Sequence, residues 1–420
     1  MKSTKRFFAV LLALACATAA SWAQDKALLE TLVKKGMLTQ QEATKIAKES
    51  VAVKPAAKQT QTIKVFGGLQ GWFKWSENNV SEGTGDMEEI SGFELRFVKV
   101  GLEADVGNGW TATLVMDFGS GGDNRNYLDK VVISKKVDID YIDGTLQIGL
   151  RKSNMGAEQI TDDFGMLAID RSVATNFFTQ AGFTDGSTKY FGSRTVGVFW
   201  DGEIPTVDGL YYSAAITSEL TEAANTASTV INNINANSGL SYYVAVGYKN
   251  VIDLDGEALK YDIGVNTGYA SKGFTRGTSK YEIWGVNPYL TLKYGGWTAV
   301  AEMFYQSVEN GRSDGSNASP LGANVIVAYK FDLSDTVGAI EPVLRFSYVS
   351  ANELGVAVTA DRTTYYFDSA KTVFFGINWY NTEAIKTSIG YEYGKYTSGK
   401  NAAAREIDNN TVMAQLQVVF

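Results

Sequence analysis

The chain closes on TVMAQLQVVF, Thr411 to Phe420. Val412, Ala414, Leu416, Val418 and Phe420 are apolar, with Gln415 and Gln417 between them. Alternation at period two is a strand signal, because successive side chains leave a pleated strand on opposite faces. A half-buried strand at the edge of an ordinary sheet would show the same pattern. The rest of the chain decides between that and a strand with one face in lipid.

At the other end stands MKSTKRFFAVLLALACATAASWAQ. Lys2, Lys5 and Arg6 precede a short apolar run, and small residues precede Gln24. Residues 1–23 are therefore expected to be a secretory signal peptide, too short and wrongly flanked for a membrane span. Cys16, the only cysteine, lies inside it. A lipoprotein cysteine would want a large aliphatic three residues earlier, and Ala13 stands there. An exported chain with no cysteine after cleavage cannot be a disulfide-stapled domain.

Composition narrows the class. Gly is abundant at 42, Pro scarce at 5, and aromatic residues make 12%. No apolar run after the leader is long enough for a transmembrane helix. A large, aromatic-rich, glycine-rich exported chain is either a soluble all-β protein or a transmembrane β-barrel. In a barrel, lipid-facing apolar residues alternate with polar lumen-facing ones. There is no histidine, which removes Ser-His-Asp chemistry, histidine metal sites and most general bases. Barrel-embedded hydrolases commonly use histidine, so no enzyme is expected, and neither is a cofactor or metal. The net charge of −8 argues against a nucleic-acid partner.

Residues 24–61 read as a periplasmic helical segment and linker. Leu28, Leu29, Leu32 and Val33 form a stripe at helical spacing, Gly36 fits a helix stop, and Thr39 with Glu42 fits a capping box. Such short helices must dock or self-associate, which leaves a packing hairpin or an aid to assembly and tethering.

Residues 62–420 read as the barrel. Alternating segments of roughly ten residues recur about sixteen times. Tight turns such as GNG at 107–109, YIDG at 141–144, YGGW at 294–297 and YNTE at 380–383 join them. Between these lie long polar stretches at 77–91, 153–190, 220–239, 309–319, 351–367 and 397–408. Short turns alternating with long loops suit an outer-membrane barrel with its short ends in the periplasm. Trp110, Tyr127, Tyr141, Tyr248, Tyr261, Tyr294, Trp297, Trp379 and Tyr380 lie at strand ends, as aromatic girdles would. The expected fold is thus a 16-stranded antiparallel transmembrane β-barrel in outer-membrane lipid, preceded by a short helical segment.

Several stretches resemble one family, the phosphate-selective porins of the Gram-negative outer membrane. LLETLVKKGMLTQQEA resembles its N-terminal periplasmic segment, and ELRFVKVGLEADVGNGWTATLVMDF its second and third strands. GTLQIGLRKSNMGAEQITDDFGMLAIDRSVATNFF resembles the strand and long third loop that follow, and NTVMAQLQVVF the C-terminal strand. The resemblance implies a homotrimer with one aqueous pore per subunit, a third loop folded into each barrel, and a terminal aromatic read by the insertion machinery. It also implies a pore lined with Arg and Lys. Here the sequence departs. The family's opening arginine pair is LR, with Arg96 alone, and loop 153–190 sets Arg171 and Lys189 against Glu158, Asp162, Asp163, Asp170 and Asp185. An acidic constriction loop would repel phosphate.

Phasing each strand by its apolar residues predicts the lumen face. Lys64, Lys74, Lys99, Arg151, Lys249, Lys260, Lys293, Lys330, Arg345 and Lys386 fall on it, against Glu103, Asp117, Asp262, Glu302, Glu341 and Glu392. Near Phe97 and Val98 the phase breaks, as at a bulge. The candidate pore-lining residues are Lys64, Lys74, Lys99, Arg151, Arg171, Lys293, Arg345 and Lys386. Arg171 could reach the translocation path or pair with Asp170 or another nearby carboxylate. A positive wall favours anions. The expected role is a channel for small hydrophilic solutes, including inorganic anions such as phosphate. The alternative is a non-selective or weakly cation-selective general porin.

Overall fold

The computed structural model describes Val33, Lys34 and Thr39, and then residues 62–83, 89–119, 128–139, 142–180, 191, 194–218, 239–276, 279–334, 336–360, 363–399 and 404–420. Val33 and Lys34 are helical. The rest of the expected leader and helical segment lies outside the described residues. The two helices with described ends lie mid-sequence, in the third loop, rather than at the N-terminus: α1 (Ala157–Ile160) and α2 (Val173–Thr179). Among the described residues no helix is long and apolar enough to cross a membrane.

The strands are β1 (Ile63–Gly83), β2 (Ile90–Gly107), β3 (Trp110–Asp117), β4 (Leu128–Ile139), β5 (Ile142–Lys152), β6 (Arg194–Glu203), β7 (Leu210–Ser218), β8 (Leu240–Leu254), β9 (Glu257–Arg276), β10 (Ser279–Tyr294) and β11 (Trp297–Val308). Then come β12 (Leu321–Tyr329, resumed as Phe331–Ser334), β13 (Gly338–Ser350, resumed as Val356–Ala360), β14 (Thr363–Tyr380), β15 (Ile385–Gly399) and β16 (Ala404–Val419). Counting each interrupted strand once gives sixteen among the described residues, in one sheet.

Every neighbour pairs antiparallel. The ring closes where β16 meets β1, with Leu69 opposite Val418 and Phe73 opposite Ala414, while β1 also pairs with β2. Closure leaves no open edge, the one arrangement in which strands survive in hydrocarbon. Met413, Gln415 and Gln417 are buried inward, whereas Leu416 is 54% exposed on the outer face and Phe420 is 64% exposed.

The tight turns follow from backbone chemistry. Asn108 and Gly109 take φ of 54° and 73°, and Asp255 and Gly256 take 55° and 89°. Paired positive angles match a two-residue hairpin to the strand twist. Trp110, Tyr294, Trp297 and Trp379 are exposed at the short-turn end, and Trp297 packs edge-on to Tyr329. Tyr380 departs from the girdle: its hydroxyl donates to Glu341 on the inner wall, at 2.7 Å. Tyr127 and Tyr141 lie outside the described residues.

The long loops are shorter than expected. β1 runs on to Gly83 and β16 starts at Ala404, so most of 77–91 and 397–408 is ladder. Within 351–367, the resumed part of β13 forms a hairpin with β14. β9 and β10 are separated only by residues 277–278. The physical reason is that backbone ladders are indifferent to side-chain polarity in water. Apolar alternation marks where a strand crosses lipid, not where it ends.

The phase break is a bulge. Gln70 pairs with Phe97 but Gly71 with Leu95, so Arg96 is the extra residue. It reaches inward, 4.9 Å over the ring of Trp72.

Candidate functional site

The segment from Ser153 to Gln180 folds back inside the barrel, where inward side chains of the wall hold it. Gln70 donates to the Asp163 carbonyl (3.0 Å), Asn378 to the Leu167 carbonyl (2.8 Å) and Lys386 to the Met166 carbonyl (3.0 Å). Apolar packing backs these bonds: Phe178 of α2 stacks on Phe304 of β11 at 5.0 Å. Ile169 lies in a second cluster with Trp72, Val343 and Phe374.

The wall also terminates the loop's helices. The Glu302 carboxylate accepts the Ala157 and Glu158 N–H groups at 2.7 and 3.2 Å, satisfying orphan donors at the start of α1. The Thr175 hydroxyl donates to the same carboxylate at 3.2 Å. Ser172 caps α2 by accepting from the Thr175 N–H at 3.1 Å.

The charges form a network. Asp163, buried, meets Lys99 and Arg171 in direct ion pairs and Lys152 at 3.3 Å, with Arg194 at 3.9 Å. Asp129 joins from β4, bound to Lys99 at 3.1 Å and to Arg194 directly. Glu158 pairs with Arg345 at 3.2 Å, and Arg345 reaches Glu392 at 2.6 Å and the Asp170 carbonyl at 2.5 Å. Arg96 faces Asp170 at 3.6 Å. Burial opposes ionisation of Asp163, but Lys152, Arg171, Lys99 and Arg194 outweigh it and hold the carboxyl well below the usual range. Burial likewise works against Asp170, and Arg96 and Lys74 lead the groups that lower it.

Three of the five acids expected to make the loop repel phosphate are paired. Glu158, Asp163 and Asp170 are bound to cations of the wall and of the loop itself. Asp162 remains exposed, and Asp185 and Lys189 lie outside the described residues.

The candidate cations divide into two sets. Lys99, Arg151, Arg171, Arg345 and Lys386 are bonded in place. Arg151 pairs with Asp201 at 2.5 Å and donates to Asn154 at 2.6 Å. Arg171 takes the second of its two expected fates, pairing with a carboxylate. Lys74 is exposed on the inward face of β1. Lys64 and Lys293 are exposed toward the short-turn rim, Lys64 at 3.7 Å from Glu103. Sequence reasoning passed over Asp129, Lys152 and Arg194 and did not foresee the role of Asp163. Asp129 sits at a register shift between β3 and β4, and Lys152 and Arg194 flank the loop; none carries a signal in the alternation.

Below α1, toward the short turns, the wall of β6 to β10 encloses a cleft of about 510 Å³. Asp201, Glu203, Asp262, Lys249, Tyr211 and Tyr289 line it, with Asn154 and Ile160 above.

A family model described as "Phosphate-selective porin O and P" matches residues 68–420. No curated protein sequence matches the chain. Solved structures similar to it include OprB of Pseudomonas putida at high pH, with a TM-score of 0.57 and 9% identity, covering 85% of this chain and 94% of that one. The outer membrane channel DcaP of Acinetobacter baumannii gives 0.52 and 11%, covering 87% and 99%. OmpF of Salmonella typhi in complex with daunomycin gives 0.52 and 14%, covering 84% and 97%. At these identities the likeness speaks for the fold.

Proposed function

This chain belongs to the phosphate-selective porin O and P family, and from that premise we propose that its constriction is charge-compensated, so that small hydrophilic solutes pass with little selection by charge. Membership and the closed barrel make it a non-enzymatic porin-like channel for passive solute diffusion across an outer membrane. Phosphate is among the solutes admitted, without being strongly preferred. The export signal in residues 1–23, the trimer, and a tethering or assembly role for residues 24–61 belong to the same reading.

The observation that carries it is the pairing of the loop acids Glu158, Asp163 and Asp170 with cations, which leaves the cluster around Asp163 with a small positive excess. Paired charges contribute little net field along a water-filled path, whereas free rings of one sign set selectivity. Lys74, exposed and inward, supports a mild residual preference for anions, aided at the rim by Lys64 and Lys293. The alternative of a weakly cation-selective porin draws on exposed Asp162.

The test is the reversal potential in a planar bilayer under a salt gradient, repeated with phosphate. The reading predicts a small potential of the anionic sign and no saturable block by phosphate. A strongly cation-selective channel, or phosphate block at low concentration, contradicts it.

A further inference from the structure

We propose that the cleft below α1 is a binding station for neutral polyhydroxylated solutes, sugars and similar polyols. The inference rests on the channel reading above and names the solute class that this wall suits.

Each carboxylate of the cleft already has a partner, a cation for two of them and a hydroxyl for the third. Asp201 is held by Arg151 at 2.5 Å and by the Asn154 amide at 3.0 Å. Glu203 is held by Lys249 at 2.6 Å. Asp262 accepts the Tyr211 hydroxyl at 2.5 Å. An arriving anion would meet three carboxylates and two engaged cations. Phosphate wants several cationic donors free to converge on it, and the two cations here, Arg151 and Lys249, are each engaged by a carboxylate. A neutral polyol asks for something else: donors and acceptors alternating over a few ångströms.

The wall supplies that alternation on a fixed floor. Tyr211 and Tyr289 share a hydrogen bond between their hydroxyls. Their rings lie over glycines of the neighbouring strands. A Cβ on Gly247 would stand 2.3 Å from the Tyr211 ring, and one on Gly264 2.6 Å from the Tyr289 hydroxyl. Two amphipathic rings are thus pressed to the wall with their hydroxyls beside Asp262. Ile160, 45% exposed on α1, gives the opposite side an apolar patch for the C–H face of a sugar. The Lys249–Glu203 pair is half exposed on both sides, and such pairs hold weakly. Sugar hydroxyls can replace that bond with one to each partner. The cleft volume falls in the range that encloses small molecules.

Multichannel current in a planar bilayer tests this with maltotriose as the probe and sodium phosphate as the comparison. Each block constant is referred to the same channel's own open current. The expected result is saturable block by maltotriose. The block should weaken about tenfold in the Tyr211→Phe, Asp262→Asn double variant, and by less in Tyr211→Phe, which keeps the ring. Phosphate should give no saturable block. Conduction without maltotriose block overturns the station and leaves the channel reading standing. So does block of equal strength in wild type and both variants. Saturable phosphate block lost in the double variant would assign the cleft to anions instead. Absence of any conductance would overturn the channel reading and the station with it.

Discussion

Asp163 shows how one residue changes the meaning of a charge count. Read along the chain, it is one more acid in an acidic loop. In the fold it is buried among Lys99, Lys152 and Arg171. Removing one partner of a buried ion network leaves charge without compensation, at a cost of about 3–5 kcal/mol. Asp163→Ala should therefore loosen the loop, and single-channel recording should show a larger, noisier conductance. A carboxyl whose folded value is depressed keeps its contribution above its unfolded value and loses it only as pH falls through the folded one. Because Asp163 is held well below the usual range, its part in docking should persist from neutral pH down to about pH 4. Loop opening in wild type between pH 5 and 7 would contradict that assignment. At Lys74, the exposed inward cation, Lys74→Glu should shift the reversal potential toward cations. Lys74→Gln should shift it half as far.

The anchoring of the loop folded into the barrel was the part least legible in sequence. Strands declare themselves locally, because lipid on one side and water on the other impose period two. The loop obeys no period. Its partners, Glu302 on β11, Arg345 on β13 and Lys386 on β15, lie far along the chain, and only ring closure brings them to it. Phasing placed those three on the inner wall but could not say that they would be occupied. Two consequences can be measured. Ser172→Ala removes the cap of α2 and should cost about 1 kcal/mol, read as more frequent closures or flickering in single-channel records. Deleting 157–179 should do more than widen the pore. It frees Lys99, Arg345 and Lys386 from loop groups, so the deleted channel should become distinctly anion-selective. An unchanged reversal potential would show that the wall cations do not face the path.

For the whole molecule, the alternation that marks β16 in the last ten residues recurs around the ring, and the sixteen-strand count followed from it. What misled was polarity taken as a sign of loop, since Asn78, Asn79 and Asp408 belong to ladders that continue into water. The lipid band itself is testable. Leu344, 55% exposed near the middle of β13, should face hydrocarbon, so Leu344→Arg should destabilise bilayer-folded protein by about 2–4 kcal/mol in urea titration. Compensation of charge across the pore can be decided by one reversal potential. Wild-type channels in a tenfold potassium chloride gradient should give a permeability ratio within about a factor of three of unity, on the anionic side. A ratio beyond about ten in either direction would mean that the charges lining the path are not neutralised.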